Sequence, residues 1–379
     1  MKTTKPWIIS LLLLASAAAH ADAELQSFVD QTLNEARTRA NLPAVAALVK
    51  INGKIEAESA VGVRAAGHPE PVTKQDLWHL GSDAKAMTAT LIARLVEQGF
   101  LKYDDTMAQV FPGVAARMSP AMHDVTVAQL LTHTSGLPTL STPEQMPAFY
   151  AVIGTERGPR AQRAAMVVHY LSRKPSTPVG EFSYSNIGYA IAGAVAEERT
   201  GRSWEELVRA EVWRPLGIRS AGFGPPGKSG RFDQPLGHEM KDGKWVSLDP
   251  ESRDSDNPPA IGPAGTIHMT LGDWLLFVQD QLEGDRGTGG KLLKPESYRR
   301  LHTPVTKNYA MGWGVLRAPD GSTTVLTHTG SNGYWLADVR IFPKRNLILL
   351  ITMNAGGEVA EKTDKEIARA LQEHLKALD

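Results

Sequence analysis

Val45-Ala46-Ala47-Leu48-Val49-Lys50-Ile51-Asn52-Gly53-Lys54-Ile55-Glu56-Ala57 reads as two strands folded about a tight turn. Asn and Gly both tolerate positive φ, so Asn52-Gly53 between strand-like runs marks a hairpin whose second arm reaches Val61. The far end of the chain is written in the same style. Thr324 to Thr327, Leu336 to Phe342 and Leu347 to Met353 read as three strands, and a helix from Val359 to Leu378 closes the chain. Between these ends the pattern turns helical at Ser82 to Gln98, Val127 to Thr132, Gln162 to Arg173, Ile187 to Arg199, Trp204 to Val212 and Leu271 to Leu282. Gly99 and Gly201 stand where two of these helices stop. Ahead of the hairpin, Leu25, Phe28, Val29, Leu33 and Ala36 form one stripe of a surface helix over Leu25 to Ala40. Strands at both ends with helices between predict an α/β fold. An antiparallel sheet is built from both chain ends and flanked by helices, and a mostly helical subdomain is inserted between them.

Met1-Lys2-Thr3-Thr4-Lys5, a short apolar run from Trp7 to Leu14, and Ala19-His20-Ala21 have the layout of a secretory signal peptide. The run is shorter than the roughly 20 apolar residues that span a bilayer. A signal peptide at 1–21 and a single catalytic domain at 22–379 follow, with the α/β part at about 22–80 and 300–379 and the helical and loop part at about 81–299. The mature chain is expected in the periplasm or outside the cell, with no stable membrane insertion after cleavage. Charge balances at 41 basic and 41 acidic residues, so nothing points to nucleic acid or an anionic membrane as partner. With no Cys, disulfides, thiolate metal sites and Cys nucleophiles are excluded.

Three short stretches carry the chemistry. Ser82-Asp83-Ala84-Lys85 lies where a loop enters a helix. There the helix dipole favours an alkoxide, and Lys85 falls one turn on, on the face of Ser82. A serine hydroxyl needs a base, and an amine whose pKa is depressed by burial can serve. By itself the spacing is weak, since a chain of this length shows it about once by chance. Tyr184-Ser185-Asn186, just before a helix, offers a phenol to exchange protons with Ser82 and an amide to hold a carbonyl. A phenolate at neutral pH would need its pKa lowered by roughly 3 units, about 4 kcal/mol, which a nearby ammonium can supply. His328-Thr329-Gly330-Ser331 ends a strand, where Gly lets a substrate backbone approach and amides here and at Ser82 can form an oxyanion hole.

In this order and spacing the three stretches resemble the penicillin-recognising serine hydrolases of the class C β-lactamase, D,D-peptidase and esterase branch, which is marked by Ser-x-x-Lys, Tyr-x-Asn and Lys/His-Thr-Gly. Leu130-Leu131-Thr132-His133-Thr134-Ser135-Gly136-Leu137, Pro215-Leu216-Gly217-Ile218 and Met311-Gly312-Trp313-Gly314-Val315 extend the likeness, which covers about Val45 to Asn354. The resemblance implies a β-lactamase/transpeptidase-like fold and an acyl-enzyme on Ser82. Lys85 and Tyr184 would share the base role, and Asn186, His328, Thr329, Gly330 and Ser331 would contact substrate or form the oxyanion hole. No cofactor or metal is implied, and the partner is a small-molecule or peptide substrate.

One position departs from the pattern. Most β-lactamases and carboxypeptidases of this kind carry Lys where His328 stands, and a His is mostly neutral at pH 7. The substitution weakens the expected grip on a substrate carboxylate. It favours an ester, or a D-amino acid amide or peptide, over a β-lactam. The alternatives are a class C-like β-lactamase, a penicillin-binding D,D-carboxypeptidase and a sensor that acylates without turnover. Arg340 is the nearest other cation in sequence.

Several patterns are rejected. Gly222 to Ser229 matches a phosphate-binding loop letter by letter, but Pro225 and Pro226 have no N–H to give and nothing helical follows. Ser255-Asp256-Asn257 sits in a Pro-rich loop, too far from Ser82 to replace Tyr184. His79, His133 and His268 read as structural. Trp78, Trp313, Tyr334 and Trp335 are candidates for the cleft wall or the core.

Overall fold

The structure, a computed structural model, describes residues 7–377 apart from 141 and 307. Helix α1 (Trp7–Arg39) leads into the hairpin of β1 (Ala44–Ile51) and β2 (Lys54–Gly62). Part of the proposed signal peptide, residues 1–6, lies outside the described residues. Asn52 and Gly53 take φ of 50° and 87°, the left-handed pair that a two-residue hairpin requires. The other four strands of the six-stranded sheet come from the opposite end: β3 (Gly314–Arg317), β4 (Thr323–Ser331), β5 (Leu336–Phe342) and β6 (Leu347–Met353). They join the hairpin in the antiparallel order β2-β1-β6-β5-β4-β3. The two chain ends meet where β1 pairs with β6, Val45 opposite Met353 and Ile51 opposite Leu347.

Burial on both faces explains the unbroken apolar run of β6. Leu347, Leu349, Ile351 and Met353 pack under α1 and the C-terminal helix α4 (Gly357–Ala377), together with Leu25, Val29 and Leu33 of α1. Ile348 and Leu350 point the other way, into the larger core shared with α2 (Ala84–Glu97) and α3 (Asn186–Thr200). Side chains alternate across a strand, so one strand serves two cores. α2 and α3 lie against each other in the middle of the inserted helical part. Eleven of the fourteen residues of α2, from Ala84 to Leu95, are buried. A helix apolar all round belongs in an interior, and its position puts the residue preceding it against the sheet.

The expected helices appear with shifted ends. The one predicted at Trp204 to Val212 is α-helical over Trp204–Val208 and then widens into a π turn over Arg209–Trp213. Helices at Met146–Ile153 and Pro295–His302 escaped the sequence pattern, both beginning with Pro in the first turn and only eight residues long. No helix follows Gly222–Ser229. Trp78, Trp313 and Trp335 are all buried in the core rather than lining a cleft, and Tyr334 packs at its edge. No helix among the described residues is long and apolar enough to cross a membrane.

Candidate active site

Ser82 sits in a single 3₁₀ turn, Gly81–Asp83, that feeds directly into α2. The turn is wedged against β4. Gly81 has φ of 50°, and a Cβ there would collide with the Ser331 amide nitrogen. A Cβ at Gly330 would collide with the Leu80 carbonyl and lie 2.7 Å from the Ser82 nitrogen. Two glycines thus let two backbones touch, and the seam they make brings the amides of Ser82 and Ser331 together. From behind, His79 accepts the Gly81 N–H on Nδ1 at 3.1 Å. Its Nε2 lies 3.0 Å from Asp256 Oδ2, and the other oxygen of Asp256 accepts from Asn332 Nδ2 at 2.7 Å. The Ser255-Asp256-Asn257 loop therefore supports the Ser82 turn without supplying the reacting groups.

Lys85 is completely buried. Its Nζ is 2.9 Å from Ser82 Oγ, 2.7 Å from Asn186 Oδ1 and 2.7 Å from the Ala264 carbonyl. Asn186 Nδ2 donates to the Leu140 carbonyl at 2.7 Å, which assigns Oδ1 as the atom facing Lys85. A neutral amine has two N–H groups and one lone pair. Two of the three neighbours can only accept, so the lone pair is left for the Ser82 hydroxyl. Burial drives the Lys85 pKa well below the ordinary lysine range, against a partial counter-pull from Asp83.

Tyr184 and Asn186 are set by a loop whose part was not apparent in sequence. Ser185 caps α3 by accepting the Gly188 N–H at 2.9 Å and donates its own hydroxyl to the Pro138 carbonyl at 2.7 Å. The Ser185 N–H donates to His133 Nδ1 at 3.0 Å, and the Asn186 N–H to the Thr139 carbonyl at 2.9 Å. The stretch His133 to Leu140 is thus a cradle for Tyr-Ser-Asn, and His133 holds φ of 57° to make it. Lys85 Nζ lies 4.8 Å from the Tyr184 ring centroid.

Two expectations need correction. Burial, the dominant influence, raises the Tyr184 pKa although the neighbouring Ser82 hydroxyl opposes this, so the hydroxyl stays a phenol. The depressed group is Lys85. His328 does not face the cleft as a substrate ligand. It is buried, its pKa is pulled down to about 3 chiefly by desolvation, and its Nε2 lies 3.3 Å from the Tyr309 hydroxyl. Thr329 Oγ1 donates to Asp338 Oδ1 at 2.9 Å. Arg340 pairs with Asp338 at 2.6 Å and Asp364 at 3.5 Å, which removes it as a substitute cation. Gly330 and Ser331 lie against the Ser82 turn, where a Cβ on Gly330 would fall 2.7 Å from the Ser82 nitrogen. His133, read as structural, reaches the site through Tyr309, 3.2 Å from its Nε2.

A serine at a helix start, 2.9 Å from a buried amine that itself lies 4.8 Å from a tyrosine ring, is the arrangement of serine acyl-transfer folds. The chain belongs to the Beta-lactamase family, whose profile matches residues 29–373. It is 28% identical over 340 residues to "Penicillin-binding protein 4" of Amycolatopsis lactamdurans, covering 86% of this chain and 85% of that one. "Protein flp" of Staphylococcus aureus is 22% identical over 92% of this chain and 67% of its own. Among solved structures, SurE superposes with a TM-score of 0.73 at 26% identity, covering 93% of this chain and 76% of that one. A D-stereospecific amidohydrolase from Streptomyces sp. has the same fold, with a TM-score of 0.67 at 21% identity over 91% of this chain and 98% of that one.

Proposed function

We propose that the protein is an exported serine hydrolase that cleaves an ester or a D-amino acid amide or peptide through an acyl-enzyme on Ser82. The observation that carries the reading is the Lys85 amine, buried and 2.9 Å from Ser82 Oγ, with its other two contacts both acceptors. Lys85 takes the hydroxyl proton as Oγ bonds to the substrate carbonyl carbon. The Ser82 and Ser331 amides hold the developing oxyanion. Tyr184, kept a phenol, gives its proton to the leaving amine or alcohol and recovers one from the Lys85 ammonium. Water then attacks the acyl-serine by the reverse proton path and releases the acid.

A neutral, buried His328 offers no fixed charge to a substrate carboxylate, which favours substrates that do not depend on one. Of the solved structures with this fold, one is a D-stereospecific amidohydrolase and another is SurE with D-Leu. A panel of a p-nitrophenyl ester, a D-alanine anilide and a chromogenic cephalosporin, each with a Ser82→Ala control, tests the reading. Hydrolysis of the ester or anilide that vanishes in Ser82→Ala, with slow cephalosporin turnover, is expected. Activity that survives Ser82→Ala refutes it. Export is tested by N-terminal sequencing of the protein from the periplasm or medium, where a start just after Ala21 is expected.

A further inference from the structure

The two amides proposed to hold the oxyanion belong to separate segments, the turn of Ser82 and the end of β4, and a third segment ties those two together. Asp256 stands on the loop 248–258, with its side chain only 7% exposed. Its Oδ2 lies 3.0 Å from His79 Nε2, and Nδ1 of the same ring accepts the N–H of Gly81, one residue ahead of Ser82, at 3.1 Å. Its Oδ1 accepts from Nδ2 of Asn332, one residue past Ser331, at 2.7 Å. The same oxygen accepts the Asn257 N–H at 2.7 Å.

Backbone groups fix the direction of every bond in this set. An N–H can only donate, so His79 Nδ1 is an acceptor and the ring proton sits on Nε2, pointed at Asp256. Asn332 Oδ1 accepts the Tyr334 N–H at 3.1 Å, which orients the amide so that Nδ2 faces Asp256. The carboxylate therefore takes three donors and gives none. An amide in its place would have to turn an N–H of its own toward one of them. On the strand side, Ser331 Oγ donates to the Trp335 carbonyl at 2.7 Å and accepts the Gly333 N–H at 3.0 Å, so Ser331 and Asn332 share one closed turn. The loop of Asp256 borders a cavity of about 470 Å³, walled also by Ile153 and Phe223. On that side hydrogen bonds, not close packing, decide where Asp256 sits.

We propose that Asp256 is a positioning residue for acyl transfer: it clamps the turn that carries Ser82 to the strand end that carries Ser331, and so sets the gap between the two amides that hold the oxyanion. This rests on the proposed oxyanion hole, and Asp256 itself touches no reacting atom. Each arm of the clamp ends one residue from a working amide, Gly81 on one side and Asn332 on the other. Without the carboxylate, the turn and the strand end lose the link that runs through the loop, and the two donors no longer converge on one point.

The test uses the full chain, first without substrate. In ¹⁵N-histidine NMR, His79 is expected to carry its proton on Nε2; a proton on Nδ1 overturns the proposal. The backbone amide resonances of both Ser82 and Ser331 are expected to shift in Asp256→Asn, and a shift at one alone, or at neither, overturns it. On a p-nitrophenyl ester, Asp256→Asn is expected to lower kcat by about tenfold to a hundredfold with KM little changed, the scale of a displacement near 1 Å at a reacting centre. Asn fills the space of Asp, so a residue that only filled the loop would lose little. The thiono analogue of the ester places sulfur, a weak acceptor, where the oxyanion forms, and its kcat is expected to fall much less. An equal loss on both esters, or wild-type kcat on the oxygen ester, overturns the proposal. Should Asp256→Asn fail to fold, Asn332→Ala at a half-buried position releases the strand side alone and is read by the same pair of esters. Failure of the hydrolase reading shows separately, as a wild type without Ser82-dependent turnover, while the histidine and amide resonances still decide whether the clamp exists.

Discussion

Replacing Gly330 by Ala tests whether the seam between β4 and the Ser82 turn sets the reactive geometry. The added Cβ would collide with the Leu80 carbonyl and lie 2.7 Å from the Ser82 nitrogen and 2.9 Å from that of Asp83, whereas ordinary contacts of this kind run 3.4–4 Å. All three neighbours are backbone atoms, so none can rotate away. Strand and turn must separate by about 0.7 Å or more, and displacements near 1 Å at a reacting centre cost on the order of 10²-fold in rate. The same overpacking destabilises by about 1–3 kcal/mol. The Ser82 and Ser331 amides move apart with the strand, so the loss is expected mainly in kcat, with KM little changed. The assay is kcat and KM on the p-nitrophenyl ester beside a urea melt. A Gly330→Ala enzyme within threefold of wild type in kcat, with an unchanged melt, would refute the close-approach account of the oxyanion hole.

Lys85→Ala removes the base and is expected to cut kcat by about 10²–10⁴-fold with the fold intact, read by steady-state kinetics and circular dichroism. Because His328 stays neutral down to a pKa of about 3, the ratio of kcat/KM for a carboxylate-bearing anilide to that for its amide should be flat from about pH 5 to 8; a rise toward acid would show a protonated His328 gripping the carboxylate. His238 accepts the Ala66 N–H on Nε2 at 2.9 Å and meets the Asn354 carbonyl through Nδ1 at 2.7 Å, and burial pulls its pKa from 6.5 to about 4. The depressed value means the folded state refuses a proton that the unfolded chain accepts. Stability is therefore full above about pH 6.5 and falls by up to about 3 kcal/mol toward pH 4, a slope that urea melts should find reduced in His238→Gln. Arg163 is buried between Glu197 at 2.6 Å and Glu205 at 2.8 Å, so Arg163→Met should cost about 3–5 kcal/mol in urea, and Arg163→Met/Glu197→Gln should recover part of it.

Local patterns in the sequence determined a good deal. The Asn52-Gly53 turn, the runs of β5 and β6, and the helix after Ser82 all follow from rules that act within a few residues. The three candidate stretches stand out because each needs particular residue types at a short spacing. What the sequence could not hold was the environment of those residues. Whether a Tyr titrates up or down depends on how much water reaches it, and burial, which only packing sets, raises Tyr184 and lowers Lys85. The family resemblance made His328 a substrate-contacting residue at the end of its strand. The tertiary structure turned it inward onto Tyr309 and Asp83, residues 19 positions ahead of it and at the start of α2. The stretch from His133 stood out in sequence only as part of a family likeness, and its role as a cradle did not, since the hydrogen bonds that make it reach about 46–52 residues along the chain. Chain chemistry named the groups, and the three-dimensional fold decided which of them carry charge.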